Sequence, residues 1–229
     1  MVSGGLLALT SLLYACKEVK ADTTYTIFLA LAFTVLSVLG ILLRSFALYT
    51  GAVIAIIVWY GIFSAGQGSD NLFLGMNYPL RYTVFGACIL LLSLLQRWVK
   101  PGYFTGDINY FTGLILFFTG LWALSVFGNY NTLAQWHIVR QIHVLAYAIL
   151  FAAAAATSFI AGIRYRDPLA RDMGVLFLLI NLYTRYFEYF WDSMNKGIFF
   201  LVLAITCGFL GWWLDKGKSF RRHKNTRGA

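Results

Sequence analysis

Apolar residues run in blocks of about 20 positions separated by short polar stretches, the length an α-helix needs to cross ~30 Å of hydrocarbon. Eight such blocks predict eight spans, at about 2–17, 24–43, 46–65, 80–98, 109–127, 137–162, 172–191 and 196–214. The first is the shortest and is followed at once by Lys17, Glu18 and Lys20. Its end, Leu13-Tyr14-Ala15-Cys16, loosely resembles a bacterial lipobox, so a signal segment is the alternative reading. No Lys or Arg precedes the run and Tyr14 fits that motif poorly, which favours a span. Without this block the count is seven, and every later loop keeps its side.

The connections are short. The stretch Arg164-Tyr165-Arg166-Asp167-Pro168 predicts the end of one helix and the start of another, because Pro is tolerated in a first turn but not in a helix interior. The longest outer connection, about 66–79, holds Leu72-Phe73-Leu74-Gly75, which is expected to dip into the membrane interface. Ala152 to Ala156 form a small-residue run in the sixth block, suited to close helix approach.

Composition agrees with this pattern. Of 229 residues, 60% are hydrophobic and 12% charged, against about 25% charged in soluble domains. The predicted fold class is all-α, a polytopic transmembrane helix bundle, with one transmembrane domain over 1–215 and a basic tail over 216–229. A soluble enzyme and a disulfide-stapled secreted module are excluded. Cys16, Cys88 and Cys207 all lie in or beside apolar blocks, where they act as small hydrophobes. They imply neither a disulfide framework nor a metal site, and no cofactor is expected.

The net charge of +9 does not point to nucleic acid. Six basic residues, Lys216, Lys218, Arg221, Arg222, Lys224 and Arg227, form a tail after an apolar helix, which suits anionic lipid headgroups. With that tail cytoplasmic, the inner loops add Arg44, Arg97, Lys100, Arg164, Arg166 and Arg171. Twelve basic residues then lie inside and six outside, as the positive-inside rule favours.

Of the outer six, Lys17 and Lys20 sit in a plain loop. The other four, Arg81, Arg140, Arg185 and Lys196, sit at helix ends on one membrane face. Ionisable groups at such positions are costly and mark candidate sites. Asn181, Arg185, Glu188 and Asp192 follow helical spacing and form one polar stripe, in which Arg185 can pair with Glu188. Asp192 and Lys196 are likewise four apart. The sixth block opens with His137, Arg140, Gln141 and His143. The two histidines point to different sides of a helix, which argues against a metal or haem pair and leaves proton-linked chemistry. If these blocks cluster, they enclose an outward-facing pocket whose guanidinium forks suit the oxygens of a small anion or a lipid phosphate. The competing reading is a self-neutralised stripe with an aromatic belt at the headgroups.

Asn181-Leu182-Tyr183-Thr184-Arg185-Tyr186-Phe187-Glu188-Tyr189-Phe190-Trp191-Asp192, then Lys196-Gly197-Ile198-Phe199-Phe200, then an apolar helix and a basic end, resembles a family of bacterial multi-pass inner-membrane proteins of unknown function. The resemblance covers the C-terminal part only. It implies a bacterial inner membrane and supplies no reaction. Asp192-x-x-x-Lys196 also resembles the retinal-bearing helix of microbial rhodopsins, but Lys196 opens its helix rather than standing mid-membrane.

Three function classes follow: an outward-facing site that binds or conducts an anion, a non-catalytic structural or assembly subunit of a larger membrane complex, and a membrane enzyme. The last is the weakest, because the chain has no P-loop, no His-Glu-x-x-His and no nucleophile motif. The expected partners are the lipid bilayer, anionic lipids at the tail, and further subunits or a second copy. No nucleic acid is expected.

Overall fold

The computed structural model describes residues 21–66, 72–99, 102–130, 144–191 and 194–208. Among the described residues it forms seven helices: α1 (Ala21–Leu42), α2 (Phe46–Gly66), α3 (Tyr78–Val99), α4 (Phe104–Phe127), α5 (Leu145–Arg164), α6 (Pro168–Phe190) and α7 (Lys196–Gly208). Five are long and apolar enough to cross a membrane: α1 over Tyr25–Leu42, and α2 to α5. The chain is therefore built as a multi-pass α-helical membrane protein.

Among the described residues five of the eight expected spans are long and apolar enough to cross a membrane. The block at 2–17 lies outside the described residues. The block at 172–191 is a helix, α6, but Arg171, Asp172, Arg185 and Glu188 make it too polar to be one of the five. Over its described length α7 is shorter than a full span. The expected start at 109 moves back to Phe104, because Gly102 at φ 78° closes the preceding turn.

Exposed apolar side chains fit the same environment. Ile27, Leu31, Val35, Val38 and Leu42 form an outward stripe along α1, and Leu91, Leu92, Leu94 and Leu95 another on α3. Such stripes in a soluble chain would be interaction or aggregation surfaces; in a bilayer they match the solvent.

The chain divides into two compact units, Met1–Leu179 and Ile180–Ala229. In the first, α4 is the central helix: 44% of its apolar window is buried, against 17–22% for the other four candidates. Leu114, Phe118, Leu121 and Leu124 repeat at helical spacing and are almost fully buried. Phe118 stacks on Phe177 of α6 at 4.9 Å between ring centroids, and Phe151 of α5 is fully buried.

Three glycines let α3 and α4 approach backbone to backbone. A Cβ at Gly86 would stand 2.5 Å from the Phe117 nitrogen, and one at Gly113 or Gly120 would stand 2.8 Å from the nitrogen of Leu90 or Thr83. Real Cβ atoms do not come so close, so any side chain here forces the pair apart.

The α1–α2 and α5–α6 corners share one design. At the first, the Ser45 N–H donates to the Gly40 carbonyl at 2.9 Å and Arg44 N–H to Ile41 at 3.3 Å, with Arg44 at φ 49°. At the second, Asp167 donates to Gly162 at 2.9 Å and Arg166 to Ile163 at 3.4 Å, with Arg166 at φ 55°. Both are Schellman closures with arginine where glycine is customary. In each, the next residue caps the following helix: Ser45 Oγ accepts from Leu48, and Asp167 Oδ1 accepts from Leu169 and Ala170. Pro168 then takes the first helical position, as expected.

Candidate functional site

Two polar clusters stand at opposite ends of the first unit. At one end, α3 starts on Asn77. Its Oδ1 accepts from the Leu80 N–H at 3.2 Å and caps the helix, while its Nδ2 donates to the Gly128 carbonyl at 2.7 Å. The Asn129 side chain replies, accepting from the Asn77 N–H at 3.0 Å and donating to Gly75 at 3.1 Å. One turn on, Arg81 is fully buried. Its Nε donates to Met76 at 2.8 Å and its Nη1 to Ser64 at 2.9 Å, and its guanidinium lies 4.9 Å from the Tyr78 ring centroid. The side chain thus ties the C-terminal turn of α2 to the turn before α3. The carbonyls it satisfies would otherwise be orphaned at helix depth, where each costs about 1–3 kcal/mol.

That turn is closed by a Phe73–Met76 bridge, with Leu74 at φ 53° and Gly75 at φ 73°. Leu74 is 80% exposed at its tip.

At the other end, Arg97 of α3 is the hub. Its Nη2 pairs with Asp107 of α4 at 2.8 Å and its Nη1 with Asp167 before α6 at 3.3 Å. The guanidinium lies 3.8 Å over the Tyr110 ring, whose hydroxyl donates to Asp167. Beside it, Asn109 donates to Gln96 at 3.0 Å and hydrogen-bonds the Tyr49 hydroxyl, also at 3.0 Å. Arg44, Arg164, Arg166 and Arg171 belong to the corners at this end.

The second unit carries the polar stripe. Arg185 Nη1 pairs with Glu188 Oε2, and both side chains are largely buried, 16% and 21% exposed. Asn181, on the same face, is buried. Around Phe199, which is fully buried, the rings of Tyr186, Phe187 and Trp191 gather at 4.7, 4.9 and 5.5 Å, and the Tyr186 hydroxyl donates to the Phe199 carbonyl at 3.0 Å. Lys196 donates to the Trp191 carbonyl and sits 3.9 Å from its ring centroid. Asn195 caps α7, its Oδ1 accepting from Gly197 at 2.9 Å.

The expected site residues therefore fall into separate groups. Arg81 belongs to the first unit, and Asn181, Arg185, Glu188 and Lys196 to the second. The pairing of Arg185 with Glu188 is present. His137, Arg140, Gln141, His143 and Asp192 lie outside the described residues. Among the described residues no group of three His, Cys, Asp or Glu could hold a metal ion. The Arg97 hub was missed by sequence reasoning, which gives this arginine only a topological role. Asp167 before Pro168 was its available signal, because an N-cap acid has a second oxygen to offer.

The chain matches no protein-family model, no curated protein and no solved structure.

Proposed function

We propose that the protein is a non-catalytic structural or assembly subunit of a membrane complex, with its polar residues holding its own helices in place. The observation that carries this reading is Arg81: the side chain best placed to meet an anion is fully buried and donates to the Met76 and Ser64 carbonyls. Arg185 points the same way, being paired with Glu188. Charges consumed internally fix register and helix order rather than recruit ligand.

The proposed topology has eight spans with the C-terminus in the cytoplasm of a bacterial inner membrane. Its support is charge: Arg44, Arg97, Arg164, Arg166 and Arg171 belong to one end of the bundle, which the positive-inside rule makes cytoplasmic.

A second reading is an outward-facing site for a small anion or a lipid phosphate. One observation favours it: Lys196, exposed at the start of α7, is held against Trp191 in the pose of an interfacial anchor. Anion efflux from proteoliposomes holding the purified chain separates the two. The structural reading expects no flux above empty liposomes, and it expects Arg81→Gln to lower thermal stability in detergent. Flux that Arg185→Gln abolishes, at unchanged stability, would overturn it.

A further inference from the structure

The Arg97 end holds a groove of about 480 Å³ that borders the Arg97 cluster at Gln96. Ile41 of α1 and Leu92, Leu95 and Val99 of α3 give it an aliphatic lining, and Gln96 and Tyr103 add polar atoms. Its size falls in the ~300–1,000 Å³ range of small-ligand sites.

Two lining groups, and a third on the turn that follows Ile41, have hydrogen-bonding capacity to spare. The Gln96 oxygen accepts from Asn109 at 3.0 Å, but its amide N–H2 has no acceptor among the described residues. The Tyr103 hydroxyl likewise has no hydrogen-bond partner among them. Arg44 lies three residues beyond Ile41, is exposed, and makes no ion pair or side-chain hydrogen bond among the described residues. The Gln96 N–H2 and the Arg44 guanidinium only donate, the second with a full positive charge, and the Tyr103 hydroxyl can donate as well, so an anionic acceptor fits them.

The groove also lies at the depth where apolar spans give way to basic turns. Trp98, 84% exposed, and Tyr165, 77% exposed, mark the same level. Amphipathic rings concentrate at the headgroup boundary, with hydrocarbon on one side and charge on the other.

We propose that this groove binds one anionic phospholipid, with an acyl chain along Ile41, Leu92, Leu95 and Val99 and its phosphate against the Gln96 amide and the Arg44 guanidinium. The proposal rests on the membrane build alone. It stands or falls separately from the assembly reading and from the basic tail at 216–229.

Native mass spectrometry tests it on the full chain in detergent, with equal amounts of phosphatidylglycerol and phosphatidylcholine of the same acyl chains. The wild type is expected to retain phosphatidylglycerol about five-fold over phosphatidylcholine, the preference that ~1 kcal/mol from one basic side chain at an anionic surface supplies. Arg44→Gln should bring the two lipids close to parity, and Gln96→Met should lower the preference in part. Leu95→Trp, which fills the groove, should reduce retention of both; Leu92→Phe serves if that variant does not fold. Equal retention by the wild type would overturn the proposal. So would a preference that survives Arg44→Gln and groove filling, including one lost only when the tail's basic residues are replaced.

Discussion

Asp167 joins two helices with its two oxygens: Oδ2 takes Arg97 of α3 at 3.3 Å, and Oδ1 takes the Leu169 and Ala170 N–H groups at 3.0 and 3.2 Å. The functions separate by substitution. Asp167→Asn keeps a capping oxygen and loses the charge, so it should cost no more than about 1 kcal/mol, the value of a part-exposed ion pair. Asp167→Ala removes the cap as well and should cost about 1–2 kcal/mol more. Thermal unfolding in detergent checks both; equal losses would mean that the cap carries no weight.

Arginine stands in the left-handed region at both Schellman corners, Arg44 at φ 49° and Arg166 at φ 55°. A β-carbon there costs about 1–2 kcal/mol that glycine avoids. Arg44→Gly and Arg166→Gly should therefore raise the unfolding temperature, each by an amount equivalent to about 1 kcal/mol. The same variants remove positive charge from the end proposed to be cytoplasmic, so under that topology a reporter fused to the C-terminus should show more misoriented chain for the double variant. A fall in unfolding temperature in both would show that the arginines make contacts worth more than the strain.

Gly86 has no room for a methyl group, with the Phe117 nitrogen at 2.5 Å from an ideal Cβ. Gly51, in α2, would place its Cβ an ordinary 3.7 Å from Leu36. Gly86→Ala should destabilise by about 1–3 kcal/mol through forced separation of α3 and α4. Gly51→Ala should be neutral or slightly stabilising, since alanine lowers the entropy of the unfolded chain. The two side by side in one unfolding assay make each the control for the other.

In the second unit, Arg185 and Glu188 are expected to behave as one group. Arg185→Gln leaves the largely buried Glu188 carboxylate without its cation, Glu188→Gln breaks the same pair from the other side, and the double variant removes both charges. A double-mutant cycle should give a coupling of about 0.5–3 kcal/mol, read from unfolding of the full chain. Additive losses would refute the pairing as a contributor to stability.

Much of the helical pattern was legible, because apolar blocks of the right length have few alternatives. The break at Pro168 was readable for the same local reason. Arg81 stood out in the sequence as a charge at a helix end, but its partners were not foreseeable: Ser64 and Met76 offer backbone carbonyls, which every residue has. Arg97 was hidden in the opposite way. Its carboxylates come from Asp107 and from Asp167, 70 residues away, and no spacing along the chain connects those. The stripe Asn181, Arg185 and Glu188 was visible because it obeys one helix's period. The shared design of the two corners was missed because Gly40-Ile41-x-x-Arg44 and Gly162-Ile163-x-x-Arg166 look like ordinary loop margins until the left-handed φ at each arginine, and the next helix lying against each glycine, reveal the turn.

The glycines of the α3–α4 seam have a mechanical consequence. Where two helices touch through side chains, rotamers can change and one helix can slide or roll on the other. Gly86, Gly113 and Gly120 each meet a backbone nitrogen of the facing helix, which no change of rotamer can move aside. Sliding or rolling one of these helices on the other therefore requires the two backbones to part first.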